Sequence, residues 1–263
     1  MALDIEKLRA KLEALKDPKK NSSNKADRKT WSPDPAKPST IRLFQYPYSE
    51  DPFVEMHFHY GIGKGPGIVC LRQTHGKTCP ICEFGYELYK SGDKESSKKF
   101  FAKPRFYAAM IDRSEANPVP RLWGFGKEIY QQLIEALLSE DWGSFLDPVS
   151  GNDAEVKSEK AEGAEWAKSK LTLKKKETRL AATDKEVQAI LSAVPTIETV
   201  FPLLTPKEME ARIANWLQLT EKDGNETVKG NATPDAVQDD VGGSDANLQG
   251  LDDAFAQALK SSK

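Results

Sequence analysis

Hydrophobic residues recur at helical spacing at the start of the chain and then, after a polar gap, give way to short alternating runs. Residues 3–16 (LDIEKLRAKLEALK) place Leu3, Ile5, Leu8, Leu12 and Leu15 on a predicted amphipathic helix, with Asp4 and Glu6 early and Lys16 late, matching the helix dipole. The following DPKKNSSNKADRK contains no core-forming side chain and reads as a tether. From Trp31 onward, residues 40–44, 53–60, 100–111, 121–125 and 169–180 read as strands, punctuated by proline and glycine. The spacing of Ile129, Leu133, Ile134, Leu137 and Leu138 predicts a helix over 127–138. Two more helices are predicted over 184–194 and 206–217, the second entered through Thr205 and Pro206, a good cap followed by a good first position.

After Leu219 the periodicity stops. Residues 221–250 read as a disordered linker, followed by LDDAFAQALK, which can form one short helix through Leu251, Phe255, Ala258 and Leu259. The expected fold class is therefore mainly β with added helices (α+β). Three segments follow: a helix and tether over 1–30, a folded core over 31–219, and an acidic tail over 220–263.

Charge sharpens this division. The whole chain of 263 residues has a formal net charge of -2. Residues 1–29 carry nine Lys/Arg against five Asp/Glu, and residues 221–263 carry four against nine. A basic head and an acidic tail thus flank a nearly neutral body. No run approaches the length of a membrane span and the N-terminus lacks an apolar signal core, so neither a membrane span nor classical secretion is expected. A Walker motif, a nucleophile elbow and a His-Glu-x-x-His pair are all absent, so no catalytic role is expected.

The sharpest local signal is Cys70, Cys79 and Cys82 with His57, His59 and His75. All three cysteines and all three histidines of the protein fall within residues 57–82. Two thiolates on a tight Cys-Pro-x-Cys turn can point at one ion, and three Cys with one His make a closed tetrahedral site that suits structural Zn2+. Spacing leaves the histidine open among the three. A ligand from the preceding strand would close the larger loop, which favours His59. A redox pair at Cys79 and Cys82 is the competing reading, but it leaves Cys70 without a role.

Cations and aromatic rings interleave in two stretches, residues 98–107 (KKFFAKPRFY) and 121–127 (RLWGFGK). Binding single-stranded nucleic acid without sequence preference needs that combination, a positive groove for phosphates and ring faces for bases. The candidate contacts are Arg42, Lys99, Lys103, Arg105, Phe106, Tyr107, Arg121 and Lys127, with Lys174 and Lys176 from a further basic run. Phe44, Trp123 and Trp216 read as core.

These pieces together resemble the T-even phage helix-destabilising proteins, which coat single-stranded DNA during replication. The resemblance rests on the basic N-terminal helix, Ser39-Thr40-Ile41-Arg42-Leu43-Phe44, Thr74-His75-Gly76 leading to Cys79-Pro80-Ile81-Cys82, Phe125-Gly126-Lys127-Glu128-Ile129-Tyr130, and the acidic tail. It implies an OB-fold core with a zinc subdomain over about residues 53–125 and a cleft for single-stranded DNA between them. It also implies zinc ligands at His59 or His57 with Cys70, Cys79 and Cys82, and not at His75. Self-association along DNA through the N-terminal helix, replication and recombination partners recruited by the tail, and a bacterial host cytoplasm are implied as well. The family's Lys-Arg-Lys-Ser-Thr head is absent, and a leucine-rich helix stands in its place. A zinc-ribbon regulator of duplex DNA and a thiol oxidoreductase are the alternatives.

Overall fold

A computed structural model of the protein describes residues 29–62, 67–159 and 167–222, with side chains as far as Leu217. The N-terminal helix, most of its tether and the acidic tail beyond Lys222 lie outside the described residues, and residues 220–222, expected in the tail, continue the last helix. The strands are β1 (Thr30–Trp31), β2 (Ser39–Phe44), β3 (Val54–His59), β4 (Ile68–Val69), β5 (Lys103–Asp112), β6 (Arg121–Phe125), β7 (Asn152–Glu159) and β8 (Lys168–Glu177). The helices are α1 (Leu71–His75), α2 (Pro80–Lys90), α3 (Lys94–Lys98), α4 (Lys127–Leu138), α5 (Asp184–Ser192), α6 (Ile197–Val200) and α7 (Pro206–Lys222). This is a mixed α+β architecture dominated by one sheet, ordered β1-β6-β5-β2-β7-β8, with β3 and β4 branching from β5.

Strand β5 organises the molecule. One edge pairs with β6 over Phe106–Met110. The other edge must serve two partners in succession, β3 over Lys103–Tyr107 and β2 over Ala109–Asp112. Alternate side chains go to different cores. Phe106, Ala108 and Met110 join Ile41, Leu43, Trp123, Phe125 and the inward face of α4, Ile129 and Leu133. Tyr107, Ala109 and Ile111 join Phe44, Phe58, Leu122 and residues from α5 and α6, including Val187 and Ile197. With both faces covered, eight successive residues of β5, Arg105 to Asp112, are buried.

A third apolar cluster is built on the cysteine region: Ile62, Ile68, Cys70, Leu71, Cys79, Ile81 and Phe100, closed by Met209 and Ile213 of α7. That last helix starts where Thr205 and Pro206 predict. The Glu208 backbone N–H donates to Thr205 Oγ1 at 3.3 Å, and the Glu208 carboxylate accepts from the Thr205 N–H at 2.7 Å, a reciprocal cap. Helix α5 is capped in the same way by Thr183 and Glu186.

Several elements differ from expectation. Strand β7 (NDAEVKSE) buries only Asn152, Ala154 and Val156, too sparse an apolar signal to stand out in the sequence. The Cys-Pro-x-Cys stretch is the start of an eleven-residue helix, not a tight turn alone, because Pro80 sits at the first helical position where its missing N–H costs nothing. Helix α1 and helix α3 are short and owe their starts to local caps, Cys70 and Asp93. The strand expected from residue 100 accordingly begins at Lys103.

A candidate metal centre and its basic surroundings

Three pieces of backbone carry the four ligands to one point. His59 ends β3. Strand β4 returns antiparallel to it, pairing His59 with Ile68, so that Cys70 emerges beside the same strand and its N–H donates to the His57 carbonyl at 2.8 Å. Cys70 then caps α1, and its Sγ accepts from the Gln73 N–H at 3.3 Å. The chain reverses after Gly76, whose φ of 64° is a conformation that glycine adopts without strain. Cys79 is the N-cap of α2 and Cys82 lies in its first turn. A helix N-terminus presents backbone N–H groups and a positive dipole end, which favours thiolate over thiol.

The ligand atoms of His59, Cys70, Cys79 and Cys82 all lie within 4.8 Å of one another, and the first three residues are buried. Cys70 Sγ and Cys82 Sγ are 3.4 Å apart, and His59 Nε2 is 3.5 Å from Cys79 Sγ and 3.7 Å from Cys82 Sγ. Metal–sulfur bonds of about 2.3 Å and a metal–nitrogen bond of about 2.0 Å, set tetrahedrally, require edges of about 3.6–3.8 Å. These three edges are close to that figure, and none of the six exceeds 4.8 Å. His59 Nδ1 lies 2.7 Å from the Phe100 carbonyl, which can accept only from an N–H. This contact fixes the tautomer and leaves Nε2 aimed at the sulfurs.

The electrostatics of the cluster call for a cation. Burial of the His59 ring opposes protonation, but hydrogen bonds to the Cys70 and Cys79 sulfurs, with their charge, outweigh it and push the imidazole up to about 9. Cys79 is held far down, chiefly by hydrogen bonds from Cys70 and Cys82, while the same kind of contact with Cys70 and Cys79 drives Cys82 up. Three sulfurs and an imidazole at these distances cannot ionise independently. One divalent ion would offset most of the charge of three thiolates at once, and the four residues are compatible with one structural metal ion having no open position.

The other two histidines stay outside the quartet. His75 is exposed at the end of α1, and His57 lies 3.6 Å from Glu55 Oε1. Single substitutions His57→Ala and His75→Ala are therefore expected to keep the full metal content, whereas His59→Ala loses it. Metal analysis of the three purified variants checks this.

The expected nucleic-acid contacts divide sharply. Arg42 is fully buried: Nη2 donates to the Asp147 carbonyl at 2.5 Å, Nη1 donates to Thr178 Oγ1 at 3.3 Å, and Asp153 is 3.9 Å away. Burial lowers its pKa to about 10, partly offset by Asp153. A Cβ on Gly151 would come within 2.6 Å of Arg42 Nη2 and 2.4 Å of the Phe145 carbonyl, so the loop closes only over glycine. Arg42 is a structural strut and not a phosphate contact. Arg121 is 3 % exposed and paired to Glu115 at 2.6 Å, and Arg105 is buried with Nη2 donating to the Gly124 carbonyl. Phe106 stacks flat on Tyr130, with centroids 3.8 Å apart, and Tyr107 packs between Phe58 and Phe201. These five residues are corrected to core and scaffold roles. A strand covered on both faces leaves no ring for a ligand.

The remaining five are exposed. Lys99, Lys103 and Lys127 gather at the end of the sheet where β5 begins, since Phe125 pairs with Phe106 two residues before Lys127. Lys174 and Lys176 lie on the edge strand β8, away from that end, and the Lys174 ammonium donates to Thr40 Oγ1 at 2.8 Å. Two half-buried rings border the first group. Phe58 pairs with Lys103, and Tyr60, two residues further along the chain, lies tilted against Phe58 with ring centroids 5.9 Å apart; Phe101 lies two residues before Lys103. Tyr60 was hidden in the sequence because nothing before folding ties β3 to the start of β5. Phe44 and Trp123 are buried as expected, and Trp216 is half-buried with its ring edge-on to Phe100 at 5.1 Å.

Among the described residues no helix is long and apolar enough to cross a membrane. No protein-family model matches the chain, and no curated protein matches it.

Proposed function

We propose that this chain is a sequence-independent single-stranded DNA-binding protein whose metal centre is structural zinc. The observation that carries the reading is the coupling of the cysteine quartet to the basic end of β5. His59 is anchored on the Phe100 carbonyl, between Lys99 and Lys103, and β3 pairs directly with Lys103. Metal binding would thereby hold Lys99, Phe101 and Lys103 in place without taking part in chemistry. Three thiolates with one imidazole favour zinc over harder ions.

Lys99, Lys103 and Lys127 supply the positive track, and Phe101 with Tyr60 supply ring faces for bases in place of the buried Phe106 and Tyr107. The OB-type barrel belongs to the same proposal. Support for it comes from a long central strand that changes partners midway along one edge, as strands do when a small sheet curls toward closure. The acidic segment beyond Lys222, outside the described residues, is assigned to protein partners. The resemblance of the Thr-His-Gly to Cys-Pro-x-Cys stretch and the Phe-Gly-Lys helix entry to helix-destabilising proteins supports the assignment independently.

The test is a parallel titration of the purified chain with oligo-dT, a mixed-sequence single strand and a duplex of the same length. The reading predicts similar affinity for the two single strands and binding to duplex weaker by a factor of about 100 or more. Preference for a particular duplex sequence would favour a zinc-ribbon regulator instead.

A further inference from the structure

Helices α2 and α7 both pack on the third apolar cluster and line an open groove of about 340 Å³ between them. Its floor is apolar, formed by Pro80 and Phe84 from α2 and by Ile213, Ala214 and Leu217 from α7. Its rim is acidic, with Glu83 and Glu87 on one wall and Glu210 on the other, all three exposed. The walls are firmly seated. Met209 and Ile213 pack with Cys79, Ile81 and Phe100, and α2 starts at a metal ligand. Neither the DNA reading nor the metal centre uses this surface.

We propose that the groove is the docking site for the chain's own N-terminal segment, residues 3–16. That segment complements the groove on both counts. Its Leu8, Leu12 and Leu15 recur at helical spacing and need an apolar surface, and Lys7, Arg9, Lys11 and Lys16 lie among them to meet the three glutamates. A helix this short is marginal alone and gains its stability from such a surface. Seating it between α2 and α7 makes a three-helix arrangement with a common apolar seam. Counting Asp4, Glu6 and Glu13 as well, residues 3–16 carry a net charge of +1, whereas the C-terminal alternative, LDDAFAQALK, carries Asp252 and Asp253 against Lys260, a net of -1, and is the poorer match to the same glutamates.

Residues 17–29 separate the segment from β1 and span up to about 40 Å when extended, and Lys29 at their end donates from Nζ to the Thr199 carbonyl at 3.2 Å, in the helix immediately before α7, so the tether starts close to one wall of the groove. Tethering by a chain of that length sets an effective concentration of about 1 mM, and the intramolecular contact wins in dilute solution. This inference is independent of what the chain binds.

Zero-length carbodiimide cross-linking of the full chain at low micromolar concentration tests it. Cross-links from Lys7 or Lys11 to Glu83, Glu87 or Glu210 are expected within single chains, in the monomer fraction. The double variant Leu8→Asp/Leu12→Asp should cut their yield by about tenfold, because the apolar seam holds the segment in register. The triple variant Glu83→Lys/Glu87→Lys/Glu210→Lys should speed trypsin cleavage after Arg9 by a similar factor while leaving the melting temperature of the body unchanged. Three results would each overturn the proposal: cross-links found only between chains, cross-links spread over unrelated carboxylates, or a yield indifferent to the leucine substitutions.

Discussion

Replacing Cys79 with serine is expected to strip the chain of its metal and lower its melting temperature by about 10 °C. The residue is 1 % exposed, serves as the N-cap of α2 and contributes to the third apolar cluster. A hydroxyl cannot replace the thiolate in a soft ligand set. Once the ion is lost, the like charges of the remaining sulfurs no longer have a counterion. Damage should spread along the connections already described: from His59 to the Phe100 carbonyl, from β3 to the start of β5, and from Ile81 to α7. Metal analysis with calorimetry gives the answer, and single-stranded DNA affinity should fall in parallel. A variant that keeps its melting temperature while losing the metal would show that the quartet holds nothing in place.

The second large effect separates charge that faces solvent from charge that holds the fold. Changing Lys99, Lys103 and Lys127 together to alanine should reduce the salt dependence of single-strand binding by about 2 in log–log slope, at about 0.7 per phosphate contact. All three side chains are exposed, so the melting temperature should hardly move. Arg42→Ala should do the reverse. It removes a buried cation from Asp147, Thr178 and Asp153, costs about 3 kcal/mol of stability and leaves the slope unchanged. A loss of slope in the Arg42 variant would return that residue to the binding surface.

The contrast between these arginines and lysines marks what was legible in the sequence. Hydrophobic periodicity placed β6 and α4 within their observed limits and β2, β3 and β5 within a few residues, because each carries a dense apolar face. It could not place β7, whose inward side chains are few. The metal quartet was legible because cysteine and histidine are scarce here and cluster; spacing left the histidine open and the resemblance left His59 or His57, and the structure brings His59, which the larger loop favoured, together with the three cysteines. The interleaved cations and rings of residues 98–107 were harder. Alternation alone makes one face of a strand wet, but β5 lies between two cores, and its covering residues come from β2, α4, α5 and α6, remote in sequence. Arg42 and Arg121 illustrate the same point: an arginine in an apolar strand can pair with carbonyls and carboxylates that only the finished fold supplies. Tyr60, by contrast, comes to the start of β5 only through the β3–β5 register.

The central claim is that an exposed basic surface beside a metal-braced strand binds single-stranded DNA through its phosphates. Titrating the metal-replete full chain with oligo-dT at several salt concentrations, following tryptophan fluorescence, tests it most directly. A plot of log affinity against log salt with a slope of about -3 or steeper is the predicted result, corresponding to at least four phosphates neutralised. Saturable binding with a slope indistinguishable from zero, or no binding at low salt, would contradict it.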